Sequence, residues 1–215
     1  IVNERWANRF KKTLNFQINS YNNIFEQYDK LTITDKKTEL SFCNYIEQVQ
    51  KDNLVEQNLL NFARCLNEGL KIAEDRKYEY AMIMFSDAVI ITEPSIDKMP
   101  VSGAGCCQCY PVDNIDMFNC DLSKIGLAPS ENFVLHESVY KKHKFNEGFL
   151  GYAYDDFDYM YNELWFSKIY LTNTYIKTII LTHHNEPAAK TWSNPTQFKK
   201  NEDLFISRAI ELSKL

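Results

Sequence analysis

The spacing of apolar residues changes at one point in the chain, and this change restricts the folds that the chain can adopt. Before Tyr78, large apolar residues recur every three or four positions, which places them on one stripe of an amphipathic helix. The first stripe consists of Trp6, Phe10, Leu14, Ile18, Tyr21, Phe25 and Tyr28. After a break at 31–34, a second stripe runs from Leu40 to Leu70. The first third of the chain is therefore predicted to form two long helices.

Short runs of β-branched and large apolar residues follow Tyr78 and indicate strands. We predict strands at 80–85, 88–92, 132–137, 167–171 and 175–182. The last two are expected to form a hairpin whose turn contains Asn173 and Thr174. The chain is expected to close with a helix that has Asn201 as its N-cap.

The order of these elements predicts an α+β fold, with an antiparallel sheet that is covered on one face. We divide the chain into a helical hairpin or stalk at 1–75 and an α+β domain at 76–215. The two helices carry more apolar surface than a small sheet can cover. A homodimer formed through these helices is therefore expected.

Composition and charge exclude some classes of function. The net charge is −5, from 24 basic and 29 acidic residues, and the densest basic run is only 140–144. Because a phosphate-binding surface needs clustered lysine and arginine, we expect no nucleic-acid partner.

No apolar stretch approaches the ~20 residues of a membrane helix, and reduced cysteines favour a cytoplasmic protein. Because the chain begins at Ile1 rather than Met, we expect a fragment of a longer product, and an upstream membrane anchor stays open.

Three segments of the second half resemble parts of a known family. Residues 144–153 read KFNEGFLGYA, residues 167–182 form the predicted hairpin, and residues 198–204 read FKKNEDL. They are similar to the glycine turn, the paired strands and the closing helix of the GAF domain, a small-molecule sensor fold related to PAS. The resemblance implies a GAF/PAS-like antiparallel sheet with flanking helices. It also implies a non-catalytic sensory or regulatory domain that binds a small molecule, or dimerises, and signals through its flanking helices.

An aromatic belt at 149–166 follows the glycine turn of this resemblance. In a GAF-like domain part of the belt would line the ligand cavity, and we take Phe149, Gly151, Tyr152 and Tyr154 as candidate ligand-binding residues. The alternative is that these side chains are ordinary core, in an interaction domain with an empty pocket. The sequence names neither the ligand nor a cofactor.

Residues 101–127 are predicted to form a long, partly irregular loop, because glycine and proline interrupt strands there. The loop contains Cys106, Cys107, Cys109 and Cys120. A structural zinc site prefers paired Cys-x2-Cys units, which this spacing lacks, so we expect no metal. Packing of small side chains is the favoured interpretation, and a redox role of the Cys106–Cys120 loop stays open.

An enzymatic alternative rests on Asp87. Residues 85–92 resemble the metal-binding strand of class III nucleotide cyclases, in which an aspartate binds Mg²⁺, so a metal-dependent nucleotide-cyclase-like enzyme is the second hypothesis. The acidic residues at 155–163 lack the central glycine of a calcium loop and are predicted to be a solvated helix start. We assign no catalytic residue, since the common hydrolase and NTPase motifs are absent.

Overall fold

A computed structural model of the chain describes residues 7–35, 46–57, 59–85, 87–100, 103–112, 126–127, 132–151, 153–181 and 194–215. The helices are α1 (Ala7–Glu26), α2 (Phe62–Asp75), α3 (Glu137–Tyr140), α4 (Asp155–Asp158) and α5 (Pro195–Leu212). The strands are β1 (Leu31–Asp35), β2 (Glu47–Lys51), β3 (Val55–Glu56), β4 (Leu59–Leu60), β5 (Tyr80–Ile83), β6 (Ala88–Ile90), β7 (Ala104–Val112), β8 (Gly126–Leu127), β9 (Phe133–His136) and β10 (Leu171–Leu181). A 3-10 turn spans Ile96–Lys98, and a π-helical segment, Tyr159–Leu164, continues α4.

The main sheet has the strand order β5-β9-β7-β10-β6, and β8 pairs with β7. The pairs β5–β9, β9–β7 and β10–β6 are antiparallel, whereas β7 and β10 are parallel. The predicted α+β class is confirmed in this coarse form, as a mixed fold with a mostly antiparallel sheet. The prediction of an entirely antiparallel sheet is wrong, because β7 and β10 form a parallel pair in its centre.

The sheet is strongly curled. β5 and β6 are its two end strands, yet only residues 84–87 connect them. In a flat sheet, four strand spacings would separate them by about 19 Å. The connection spans at most about 17 Å when fully extended, and it contains a turn in which Ala88 N–H donates to Phe85 O at 3.0 Å. Tyr80 of β5 and Ile90 of β6 consequently pack in one cluster, which lies on the concave face of the sheet.

β7 lies in the segment that was predicted to be a loop, so that prediction is wrong for 104–112. Small residues make this strand a close neighbour of β10: a Cβ on Gly105 would lie 2.3 Å from Thr174 Cγ2. The Thr174 hydroxyl donates to Cys106 O at 2.9 Å. Glycine here permits close approach of two strands rather than ending a strand.

The predicted hairpin at 167–182 is also wrong, because residues 171–181 form the single strand β10. The turn signal has a physical counterpart: Asn173 Oδ1 accepts a hydrogen bond from Tyr175 N–H at 2.8 Å, and Tyr175 has a φ of 59°. The chain does not reverse there, because both halves pair with β7 across a register shift between Asn173 and Lys177. The turn-like residues therefore form a β-bulge.

The second predicted helix begins later than expected. Residues 46–60 contain β2, β3 and β4, and β1 lies at the predicted break; Leu40 and Cys43 lie outside the described residues. Asn53 and Gln57 have φ values of 62° and 52°, which a helix does not allow. α2 starts only after Asn61, whose side chain accepts from Arg64 N–H at 2.8 Å. The boundary of the two proposed domains stays a prediction.

Helices lie on both faces of the sheet, whereas the sequence predicted cover on one face. α2, α3 and the π-helical segment pack against Ile83, Phe133 and Leu135. α1 contributes Ile24 to the cluster on the concave face, and its Phe16 packs against Val89. The predicted homodimer is untested and stays a prediction.

The closing helix α5 is confirmed, but its predicted N-cap is wrong. Asn194 is the N-cap, with Pro195 following it, and it accepts from Gln197 N–H at 3.1 Å. Asn201 lies inside the helix and is 1% exposed. Its amide donates to Leu150 O and to a second carbonyl three residues later, each at 3.0 Å, so it holds α5 on the glycine turn. No helix in the described ranges is long and apolar enough to cross a membrane.

Candidate functional site

A cavity of about 620 Å³ lies between α1, β1, α2 and β5. α1 contributes Phe10 and Leu14, and α2 contributes Leu66 and Leu70. All four are buried by the fold, with exposures of 9% or less. The interior walls of the cavity are therefore largely apolar.

Methionines line the side of the cavity that is next to the sheet: Met82 on β5, Met84 after it, and Met99 beyond the 3-10 turn. All three are partly buried and pack against the concave face. Unbranched, polarisable methionine side chains adapt to ligands of different shape. The run YAMIMF at 80–85 predicted a strand, and no sequence signal placed it beside α1 and β1.

The polar groups of the cavity lining are concentrated where α1 ends and α2 ends. The Tyr78 hydroxyl donates to the Asp29 carboxylate, and Arg76 pairs with Glu47 at 2.6 Å. Lys30 also lines the cavity, and burial lowers the pKa of its ammonium group. This rim brings both signs of charge to one end of an otherwise apolar space.

The predicted ligand-binding residues lie elsewhere and do not line this cavity. Phe149 is 1% exposed in the core. Gly151 has a φ of 73°, and its N–H donates to Leu60 O at 2.9 Å beside the start of α2. The Tyr154 ring packs on Phe198 of α5 with a centroid distance of 5.2 Å. Tyr152 lies outside the described residues. The three described residues thus join the glycine turn to its neighbouring helices, and their role in ligand binding stays a prediction.

Two of the acidic residues after the glycine turn, Asp155 and Asp158, are buried, so the prediction of a solvated helix start is wrong for them. Asp158 is fully buried and forms an ion pair with Arg208 of α5. Asn162 donates to Asp158 Oδ1 at 2.8 Å. Arg208 also lies 3.4 Å from Glu163, whose other oxygen is 2.9 Å from His143 Nδ1. α5 covers these carboxylates and supplies the cation, which the local sequence alone does not show.

Asp155 has the most perturbed carboxyl group of this segment. It is 8% exposed, and burial raises its pKa to about 6, with the nearby Asp158 acting in the same direction. Its own N–H and that of Asp156 bind the carboxylate and partly oppose the shift. The preceding Tyr154 has a left-handed φ of 73°, and a π-helix follows. Such a combination is frequent at functional sites.

Three of the clustered cysteines pack in the core, but in a strand rather than in the predicted loop. Cys106, Cys107 and Cys109 are all buried thiols of β7. Burial raises the pKa of the Cys107 thiol to about 12, which keeps it protonated at neutral pH. Cys109 Sγ lies 3.1 Å from the Thr178 hydroxyl. Cys120 lies outside the described residues, and with it the proposed redox loop.

Asp87 lies in the turn between β5 and β6. α2 runs antiparallel to β5, because a short turn connects them, so the start of α2 and the end of β5 share one end of the sheet. Gly151 bridges to Asn61 at that start, which places the glycine turn and Asp87 at the same end. Within the described ranges, no three His, Cys, Asp or Glu side chains are grouped in a way that could hold a metal ion.

Comparison with known proteins assigns no family. No family model matches the chain, and no curated protein matches it in sequence. It is similar to a crystal structure from Bacillus anthracis that is assigned to a glucose-1-phosphate thymidylyltransferase and contains sucrose. The two chains are 13% identical, with a TM-score of 0.44, over 88% of this chain and 82% of the other. A likeness of this size carries no argument about fold or function.

Proposed function

We propose that this chain is a non-catalytic regulatory module that binds a small molecule in the cavity between α1, β1, α2 and β5. The GAF-like sensor suggested by the sequence is kept as the class of function, and the ligand site moves from the aromatic belt to this cavity. The observation that carries the proposal is the size of the cavity together with its apolar walls. Ligand pockets in proteins typically measure ~300–1,000 Å³ and combine apolar walls with a few polar groups.

The apolar walls also determine how well water can fill the cavity. Water fills polar cavities well, but it needs two to four hydrogen-bond partners per molecule. The walls near Leu14, Leu66 and Met82 offer few such partners, so an apolar occupant is favoured.

The lining also restricts the chemistry of the ligand. A ligand of this site needs an apolar body of moderate size, to contact the leucine and methionine side chains. It needs one polar group at the rim, where Lys30, Asp29 and Tyr78 are within reach of the cavity. A small amphiphile satisfies both requirements.

α1 provides the route from the ligand to a regulatory output. Phe10 and Leu14, which precede the kink of this helix at Tyr21, and Ile24, which follows it, line the cavity. A ligand that contacts them favours one position of α1 by the difference between its affinities for the two positions, typically 1–3 kcal/mol. This is the flanking-helix mechanism that the sequence resemblance implies.

A matched pair of substitutions at Gly69 tests the proposal. Gly69 lies on α2 and lines the cavity, and a Cβ there would meet Ile33 Cγ1 at 3.9 Å, an ordinary contact. Gly69→Ala should therefore keep the cavity, whereas Gly69→Leu should fill part of it. The probe is anilinonaphthalene sulfonate, an amphiphile whose fluorescence rises in apolar sites. We expect binding by wild type and Gly69→Ala, and at least tenfold weaker binding by Gly69→Leu. Equal affinity in all three proteins, or no binding by folded wild type, would overturn the proposal.

A second candidate function is acid–base catalysis at the glycine-turn end of the sheet. The specific observation is the burial of Asp155 beside Asp158 at a π-helix, with Asp87 at the same end. Turnover of ATP or GTP with Mg²⁺ by wild type, lost in both Asp87→Ala and Asp155→Asn, would support this candidate. The same result would overturn the non-catalytic proposal.

A further inference from the structure

We infer that β1 can pair with β5 as a parallel strand, with Ile33 opposite Ala81, and that this closed arrangement exchanges with the open one described above. The inference rests on the proposed function, because it describes how that site is regulated. β1 pairs only with β2 among the described residues, and β5 only with β9. Each strand therefore keeps one edge that no strand of the described residues pairs with, and both strands line the cavity.

The backbone of β5 shows which of its groups face the cavity. Glu137 N–H donates to Glu79 O at 2.8 Å, one residue before β5 begins. Backbone groups alternate in direction along a strand, so Ala81 also bonds towards β9. The N–H and C=O groups of Tyr80 and Met82 therefore point to the open edge.

The same reasoning applies to β1. Glu47 N–H donates to Lys30 O at 3.0 Å, one residue before β1 begins. By alternation, the backbone groups of Thr32 bond towards β2. Those of Leu31 and Ile33 point to the open edge of β1.

Both strands contact α2. Ile33 packs with Cys65 on one side of this helix. Ala81 packs against the cluster that contains Leu70, on the neighbouring side of the same helix. The side chains of Ile33 and Ala81 thus face the same layer.

The strands also run in the same direction. The hydrogen bond from Tyr78 to Asp29 joins the residues two positions before β5 and two positions before β1. Both strands therefore begin at the same end of the molecule. This contact already holds their first residues close together.

These conditions admit registers that differ by two residues, and we take the one that places Ile33 opposite Ala81. In a pair of parallel strands, a residue whose backbone N–H and C=O groups bond to the other strand lies opposite a residue of that strand whose own backbone groups point away from the pair. Ile33 opposite Ala81 meets this rule, with Ile33 N–H donating to Tyr80 O and Met82 N–H donating to Ile33 O. The side-chain faces agree with this pairing, because they follow the same two-residue alternation. The sheet would then continue as β2-β1-β5-β9-β7-β10-β6.

Ligand binding and strand pairing compete for one space. In the open state the backbone groups of Met82 and Ile33 face the cavity, where an amphiphile lies between the strands. In the closed state these groups bond to each other, and the cavity is lost. A ligand thus shifts the equilibrium to the open state in proportion to its affinity for that state.

Amide hydrogen exchange of the ligand-free protein, followed by NMR, tests the inference. Ala81 bonds to β9 in both states and is the internal control. We expect the Met82 amide to exchange about 100-fold or more slowly than an unstructured amide, because opening of a paired strand must precede exchange. Saturation with anilinonaphthalene sulfonate should reduce this protection, while that of Ala81 stays unchanged. Met82 exchange at the unstructured rate, with Ala81 protected, would overturn the inference.

Ile33→Pro distinguishes pairing from simple burial of the amide. Proline removes the N–H that faces β5, and the open edge of a strand tolerates it. The proline ring also occupies the edge at which β1 would meet β5, so the strands cannot pair there. We therefore expect Met82 to lose its protection in this variant, and retained protection in a folded variant would overturn the inference. If wild type binds no probe but Met82 is protected as expected, the proposed function fails and the strand pairing stands. If the probe binds and Met82 is unprotected, the proposed function stands and the strand pairing fails.

Discussion

The side-chain amide of Gln17 forms hydrogen bonds with both backbone groups of Ile90. Gln17 Nε2 donates to Ile90 O at 3.1 Å, and Ile90 N–H donates to Gln17 Oε1 at 2.7 Å. Ile90 belongs to β6, an end strand of the sheet. The amide thus takes the place of one residue of an added strand, and α1 covers an edge that would otherwise be open to self-association.

Gln17→Leu should lower the free energy of unfolding by about 2–4 kcal/mol, since it leaves two buried backbone groups of Ile90 unpaired. Urea denaturation followed by circular dichroism measures this change. Asn19→Leu, at an exposed position of the same helix, is the control and should change stability by less than about 0.5 kcal/mol. Equal effects of both substitutions would contradict the importance of the Gln17 contact.

Two glycines should respond in opposite ways to alanine. Gly105→Ala should destabilise the protein by about 1–3 kcal/mol, because its Cβ would lie 2.3 Å from Thr174 Cγ2. Gly69→Ala should stabilise it by about 0.5–1 kcal/mol, since alanine is the better helix former and has space there. Thermal and urea denaturation of the two variants measure both effects. A stabilising Gly105→Ala would contradict the close contact of β7 with β10.

The contribution of Asp155 to the free energy of unfolding should fall as the pH rises from about 4 to 7. Burial raises the folded-state pKa of Asp155 to about 6, above its ordinary value of 3.8. The native state therefore holds a proton that the unfolded state has lost in this range, which favours folding at the acid end. The contribution of this group is on the order of 3 kcal/mol. Asp155→Asn should remove it and should be more stable than wild type at pH 7.5.

Urea denaturation of both proteins at pH 4.5 and 7.5 checks this pH dependence. Asp203→Asn, at an exposed position on α5, is the control and should follow wild type. An Asp155→Asn variant whose stability changes with pH as much as that of wild type would contradict the prediction.

Removal of the Arg208 guanidinium should destabilise the protein by about 3–5 kcal/mol, because it leaves the fully buried Asp158 charge without a partner. Arg208→Met keeps the aliphatic part of the side chain and isolates the loss of charge. The double variant Arg208→Met/Asp158→Asn should recover part of the stability. A double variant less stable than Arg208→Met would show that loss of the ion pair is not the reason why Arg208→Met destabilises the protein.

The sequence predicted best those elements whose apolar residues keep one period over many positions. α1 was found because its stripe recurs from Trp6 to Tyr28, although its kink at Tyr21 was not predicted. β9 was found because its apolar run is continuous. β7 was missed because its small residues, such as Gly105, Cys107 and Cys109, carry no β-branched signal. The hairpin was predicted because Asn173 forms the expected local hydrogen bond, while long-range pairing with β7 decides the path of the chain.

The cavity could not be predicted from the sequence, for a related reason. Leu14, Ile33, Leu70 and Met82 each have the pattern of an ordinary core residue. They line a cavity only because α1 and β1 lie beside β5, which local patterns do not determine. The buried charge of Asp158 was missed similarly, since its partner Arg208 is distant in the sequence.

The short connection between β5 and β6 has a consequence for synthesis of the chain. β6 follows β5 closely in the sequence, but its partner strand is β10. Ile90 lies opposite Thr178, which is 88 positions later in the chain. At translation rates of about 5–20 residues per second, the ribosome needs about 4–18 s to supply that partner. Among the described strands, β6 pairs only with β10, so its apolar residues lack this partner during the interval. The nascent chain should therefore be a substrate for chaperones until β10 has left the ribosomal tunnel.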